Sequence, residues 1–355
     1  MSRRPASHVL TSPGVVRASH ASSRSGGPLR SSIPCHSLRP FFDGWFMRLT
    51  DHDNGVSLAV ILGLWWRGRR RWRKATTCRP EEHYLCLTAS VPSKVAPVAV
   101  PLFPDPRTAS LQVYTASNPP EPKPLPKRQA AVWSAPARGA ADLVYQAACG
   151  TFEVRHQAAR CAIAADGWSM NIHADGHPQP WAPEGWLGYL AGLQILPCRY
   201  SVCTLATPAT YSATVPVDGG NSLELSGTGT VHVETNYGET FPEGYIYVHA
   251  HGLCRGEPAQ LLLTGGRFRI GPASPLTWLL CLRLPGLPPL DFRTTDLDQV
   301  RVLRLSFEQK TVLLEFKRAR LWTRSKLEVT LHVLASSESF GEDLYVPTTT
   351  GFGRG

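Results

Sequence analysis

The chain has 355 residues, of which 43% are hydrophobic and 18% charged, against roughly a quarter charged in an average soluble domain, so it can bury a core. Its 37 Lys and Arg against 27 Asp and Glu give a formal net charge of +10, but six of those cations lie within residues 1–40 and six within Arg67–Lys74. Elsewhere 25 cations face 27 anions. That argues against a nucleic-acid binder, whose cations line a folded face, and no apolar run reaches the ~18 residues that span a bilayer.

Residues 1–34 are rich in Ser and Arg and hold no acid, the composition of an organelle transit peptide; a plain disordered tail is the alternative reading. Trp65-Trp66-Arg67-Gly68-Arg69-Arg70-Arg71-Trp72-Arg73-Lys74 mixes indole rings with cations, which suits an anionic lipid surface, and a solvated loop is its alternative. Ten prolines between Val91 and Pro126 predict a long exposed connection that sets residues 35–90 apart from the rest. Ala141–Ala148 reads as a possible helical turn, the exception in a chain whose periodicity is otherwise two.

Leu223, Leu225, Gly227, Gly229, Val231 and Val233 alternate with Glu224, Ser226, Thr228, Thr230, His232 and Glu234, the pattern of a strand. Tyr245–His251 is a further short strand. Val300–Phe307 and Thr311–Phe316 form a hairpin over Glu308-Gln309-Lys310, and Leu327–Val333 alternates again. The expected class is all-β, built as antiparallel barrels or sandwiches. Nine widely spaced cysteines without a Cys-x-x-Cys pair read as buried free thiols.

Phosphate-loop, dinucleotide, nucleophile-elbow and zinc-protease signatures are all missing from the sequence. His249 and His251 share one strand face with Tyr245 and Tyr247; two polar strand residues are the favoured reading over metal ligands, and His173 and His177 carry less weight still. No metal and no cofactor are expected.

Three stretches resemble one family. Leu38-Arg39-Pro40-Phe41-Phe42-Asp43-Gly44-Trp45-Phe46-Met47-Arg48-Leu49 is similar to the R-P-F-F-E-G-W-Y opening of tocopherol cyclases. Glu234-Thr235-Asn236-Tyr237-Gly238-Glu239-Thr240-Phe241-Pro242 resembles their E-K-N-W-G-x-x-F-P segment, and Gly185-Trp186-Leu187 with Leu193–Tyr200 and the Leu261–Gly266 turn stand in matching order. The departures are Asp43 for Glu, Thr235 for Lys and Tyr237 for Trp. The chain ends at Gly355, before the family's final strand, which is expected to leave a barrel edge unpaired.

The resemblance implies two lipocalin-like halves, 35–220 and 221–355, around an apolar cavity. It also implies chromanol ring closure on a prenylated benzoquinol, a cofactor-free isomerisation in which an alkene is protonated and the phenol oxygen captures the cation. Glu234 is the first candidate for the buried acid and Asp43 the second, each with a purely structural alternative. Trp45, Asn236, Tyr237, Tyr245, Tyr247 and Trp186 are the candidate substrate contacts. The implied setting is a plastid, at a membrane or lipid-droplet surface, and the competing reading is a non-catalytic prenyl-lipid binder of the same fold.

Overall fold

The computed structural model describes residues 41–66, 80, 82–91, 95–115, 141–155, 158–176, 198–217, 219–242, 244–254, 257–267, 273, 276–287, 290–294, 299–306, 311–319 and 326–334. Its elements are strands: β1 (Phe41–Asp51), β2 (Val56–Trp66), β3 (Glu82–Val91), β4 (Val95–Leu102), β5 (Ser110–Thr115), β6 (Ala141–Ala147), β7 (Gly150–Arg155), β8 (Ala158–Ala165) and β9 (Trp168–Asp175). They continue with β10 (Cys198–Pro216), β11 (Ser222–Gly238), β12 (Gly244–Cys254), β13 (Glu257–Arg267), β14 (Leu276–Arg283), β15 (Leu290–Arg293), β16 (Gln299–Ser306), β17 (Thr311–Ala319) and β18 (Lys326–Leu334).

The first eleven strands form one antiparallel sheet in the order β4-β3-β2-β1-β11-β10-β9-β8-β7-β6-β5. It curls until His83 of β3 touches Tyr145 of β6 across its interior, with Nδ1 3.1 Å from the phenol oxygen. Trp45, Met47, Leu58, Val60, Leu87, Phe152, Ile172 and Val233 fill that interior. Each fully buried Leu or Val among them contributes about 1.5–3 kcal/mol.

Burial along the strands shows where a second layer lies. β8 and β9 alternate buried with exposed, one face in the core and one in water. β2, whose sequence VSLAVILGLWW carries no polar face, is buried on nearly every residue. β11 alternates at its start and is buried on both faces from Val231 to Thr235.

The covering layer is the sheet β12-β13-β14-β15. Its inner face sets Tyr247, Leu262, Leu279 and Cys281 against Phe42, Tyr200, Val202 and Leu205 of the first sheet. Its outer face carries the cross-strand row Val248, Leu263, Leu280 and Phe292, all buried. Phe292 meets Phe316 of the third sheet, β16-β17-β18, with ring centroids 5.6 Å apart. The chain is thus all-β, with two lipocalin-like antiparallel halves.

Three expectations are corrected. The segment 141–148 supplies strand β6, because Leu143 and Tyr145 enter the core with period two and both edges of the strand are paired. Of the proline-rich segment, residues 95–102 and 110–115 supply β4 and β5, the two terminal strands of the sheet, and Pro97 and Pro101 of β4 stand at such an edge; residues 116–126 lie outside the described residues. β1–β3 belong to the same sheet as β5–β11, so residues 35–90 are not set apart from the strands that follow. Leu261–Gly266 lies inside β13 and makes no turn; a Cβ on Gly265 would stand 2.6 Å from Trp278 Cδ2, so the glycine admits the indole. Cys86, Cys149, Cys161, Cys198, Cys203 and Cys281 are free thiols.

The β1–β2 hairpin is tied by Asp51. Its Oδ1 accepts the N–H groups of Asp53 and Asn54 at 3.0 and 3.1 Å, and its Oδ2 accepts Asn54 Nδ2 at 2.8 Å and the Tyr211 hydroxyl at 2.9 Å. Burial alone would raise this carboxyl, but those hydrogen bonds outweigh it and hold its pKa below the ordinary carboxylate value. A depressed folded pKa gives stability that is present above the unfolded value and lost as pH falls through the folded one. Urea melts at pH 3, 4 and 7 should therefore show a loss on acidification that Tyr211→Phe makes smaller, from a starting stability lower by about 1–3 kcal/mol. Equal acid sensitivity in the two proteins would refute the assignment.

Candidate functional site

The layer between the halves is largely apolar and holds a cluster of polar side chains centred on Glu234. On β11, His232, Glu234 and Asn236 point the same way because they are spaced by two, and the register sets them against Arg48, Phe46 and Gly44 of β1. Tyr200 of β10 stands opposite Asn236, and Tyr247 and His249 come across from β12. Arg48, His232, Glu234 and His249 are all at most 4% exposed.

Glu234 is the hub. Its Oε2 accepts the hydroxyls of Tyr200 at 2.5 Å and Tyr247 at 2.9 Å and lies 2.9 Å from His232 Nε2. Burial first, and then the charge of Glu234, hold both phenols well above their ordinary pKa, so they stay protonated and donate. Among the described residues the hydrogen bonds to Glu234 all fall on Oε2.

Arg48 anchors the far side. Its Nε donates to Ser57 Oγ at 3.1 Å, and Nη1 donates to the His249 carbonyl at 3.1 Å and lies 3.5 Å from His249 Nδ1. A guanidinium only donates, so that contact fits a His249 whose Nδ1 lone pair is free. The rings of His232 and His249 lie 4.1 Å apart, and Phe46 closes edge-on over His232 and Tyr247 at 6.3 and 6.4 Å.

His232 Nδ1 and Asn236 Oδ1 are buried beside the hub without a hydrogen-bond partner. Orphaned polar atoms at the same face as a carboxylic acid are what a hydroxyl-bearing ligand would satisfy. Next to Asn236 the row continues through Gly44 and Gly63, which project no side chain into the layer. Phe42 stacks on Phe241 at 4.5 Å and on Trp65 at 6.3 Å, giving the layer an aromatic wall, with Tyr245 half-buried against it.

The sequence candidates fall into two groups. Glu234, Asn236, Tyr245 and Tyr247 meet in the inter-half layer. Asp43, Trp45 and Tyr237 lie on the opposite face of β1 and β11, toward the interior of the first sheet, where Asp43 is 0% exposed. The strand between the two acids prevents one ligand from touching both. Trp186, the Arg67–Lys74 block and His177 lie outside the described residues. His173 pairs with Asp175 on the surface. Among the described residues no group of three or more His, Cys, Asp or Glu is placed to hold a metal.

Sequence reasoning missed Arg48, Tyr200 and the joining of His249 to His232. A signal was present in the period-two sets His232-Glu234-Asn236 and Tyr245-Tyr247-His249, each polar on a face that a strand of this fold would bury.

Fold and site together define a lipocalin-like protein of two β halves with a buried acid and aromatic residues between them. CghA has this fold: its structure superposes with a TM-score of 0.53 at 13% identity, covering 93% of this chain and 87% of that one. Kievitone hydratase from Nectria haematococca gives a TM-score of 0.37 at 9% identity, over 92% of this chain and 99% of that one. A protein assigned as AttH from Nitrosomonas europaea gives 0.37 at 10% identity, over 88% and 83%. No protein-family model and no curated protein matches the chain, so the likeness to known structures is one of fold.

Proposed function

We propose that this chain is an isomerase of the tocopherol-cyclase type, closing a chromanol ring on a prenylated benzoquinol held between its two halves. The observation that carries the reading is Glu234, buried in the inter-half layer with three hydrogen-bonding groups on Oε2 and none of the described residues on Oε1. A proton carried on Oε1 passes to the nearest trisubstituted alkene of the prenyl chain, leaving a tertiary carbocation. Tyr200 and Tyr247 donate to the carboxylate that remains, and His232 Nε2 lies beside it. The faces of Phe46, Phe42 and Phe241 stabilise the cation, and the dry layer keeps water from trapping it. Asn236 Oδ1 accepts the ring hydroxyl and aims its oxygen at the cation; the phenolic proton then returns to Glu234, so atoms balance and no redox partner is consumed.

Incubating the full chain with a dimethyl phytylbenzoquinol and separating the lipids by chromatography tests this. A chromanol of unchanged mass is the expected product. Its absence, with the quinol recovered intact from the protein, would instead support a prenyl-lipid binder of the same fold. The observation favouring that second reading is the hydrogen bond from Arg48 of β1 to the His249 carbonyl of β12, beside the His232–Glu234 contact, because buried polar contacts also serve to fix two sheets together. In either case the setting we propose is a plastid lipid surface, which the Ser/Arg-rich residues 1–34 support as a targeting composition.

A further inference from the structure

The inter-half layer has a second polar spot, beyond the Glu234 cluster. Gln260 of β13 stands directly opposite Arg283 of β14. Alternation puts both on the inner face, the one that carries Leu262, Leu279 and Cys281 into the layer. Side chains so paired begin about 5 Å apart, within reach of one ligand group. Gln260 Oε1 and Arg283 Nε are each buried without a hydrogen-bond partner. An acceptor and an N–H donor therefore sit side by side and do not bond each other.

We propose that Gln260 and Arg283 form a second subsite of the interface, which holds a lipophile by a neutral group bearing a donor and an acceptor on neighbouring atoms, a carboxamide being the simplest case. The donor of such a group satisfies Gln260 Oε1 while its carbonyl accepts from Arg283 Nε. The hydrocarbon part lies along Leu262 and Leu279. A carboxylate fits less well, since its lone pairs would face those of Gln260 Oε1. The Asp291 carboxylate, directly opposite Cys281 and so on the same face, also disfavours a second carboxylate there. The subsite stands independently of ring closure: it concerns binding, and a protein that makes no chromanol leaves it intact.

The test is calorimetric titration of the full chain with octanamide, N,N-dimethyloctanamide and octanoate. Octanamide should bind about tenfold more tightly than its dimethyl analogue, which keeps the carbonyl and lacks the N–H donor. Gln260→Leu should bring octanamide to the level of the dimethyl compound and leave the latter unchanged, whereas Arg283→Met should weaken both. Urea melts of the two variants serve as the control for a folded layer. Octanoate binding as tightly as octanamide, no discrimination between the two amides, or no effect of Gln260→Leu would each overturn the proposal.

Discussion

Glu234→Gln should lower chromanol formation by roughly a hundredfold to ten-thousandfold, the range expected when a positioned proton donor is lost. The substitution is nearly isosteric, and its amide oxygen can still accept from Tyr200 and Tyr247, so the fold should survive. Urea melts should place the variant within about 1.5 kcal/mol of the parent, the worth of a typical hydrogen bond. Glu234→Leu would behave differently. It strands two buried hydroxyls and the Nε2 of His232, at about 1–3 kcal/mol for each group, and should destabilise the layer as well as silence it. Asp43→Asn supplies the contrast, because its side chain lies on the other face of β1 and should leave turnover intact. Turnover surviving Glu234→Gln and lost in Asp43→Asn would move the chemistry into the interior of the first sheet.

How far sequence could go toward this site depends on which strands have a polar face. β11, β18 and the β16–β17 hairpin were legible because polar and apolar residues alternate along them, so period and face come from one pattern. β6 was not, since its alanines carry a helical preference and only its pairing with β5 and β7 holds it extended. Glu234, Asn236 and Tyr247 were found from motif and spacing. Their separation from Asp43, Trp45 and Tyr237 was not, because Phe42-Asp43-Gly44-Trp45-Phe46 is largely aromatic on both faces and offers no polar side to mark as outside. Only the second layer, which contacts the Phe42 and Phe46 side, breaks that symmetry. Arg48 and His249 lie 201 residues apart in the chain, and no local pattern could have joined them.

Gly150→Ala should be the most damaging single methyl in the first half, lowering stability by about 3 kcal/mol or more. Gly150 opens β7 opposite Ile163 of β8, with φ at +137°, a conformation that side chains seldom adopt. A Cβ there would overlap the carbonyl oxygen of Ala162 and come within 2.8 Å of Ile163 Cα. Both obstacles are backbone, so no rotamer change relieves them. β8 must retreat instead, and Cys161 and Ile163 leave the core with it, since both are 2% exposed and pack in the interior of the curled sheet. Gly220→Ala separates the two causes: its φ is +77°, yet nothing lies within 4 Å of the added methyl. It should cost only about 1–2 kcal/mol, the strain of a left-handed backbone alone. Urea denaturation of the two variants side by side measures the difference, and equal losses would mean that the close approach of β7 to β8 carries none of the effect. Gly150 lies on a strand remote from Glu234, at the other side of the sheet order, so any Gly150→Ala protein that remains folded in the cold should still bind ligand between the halves.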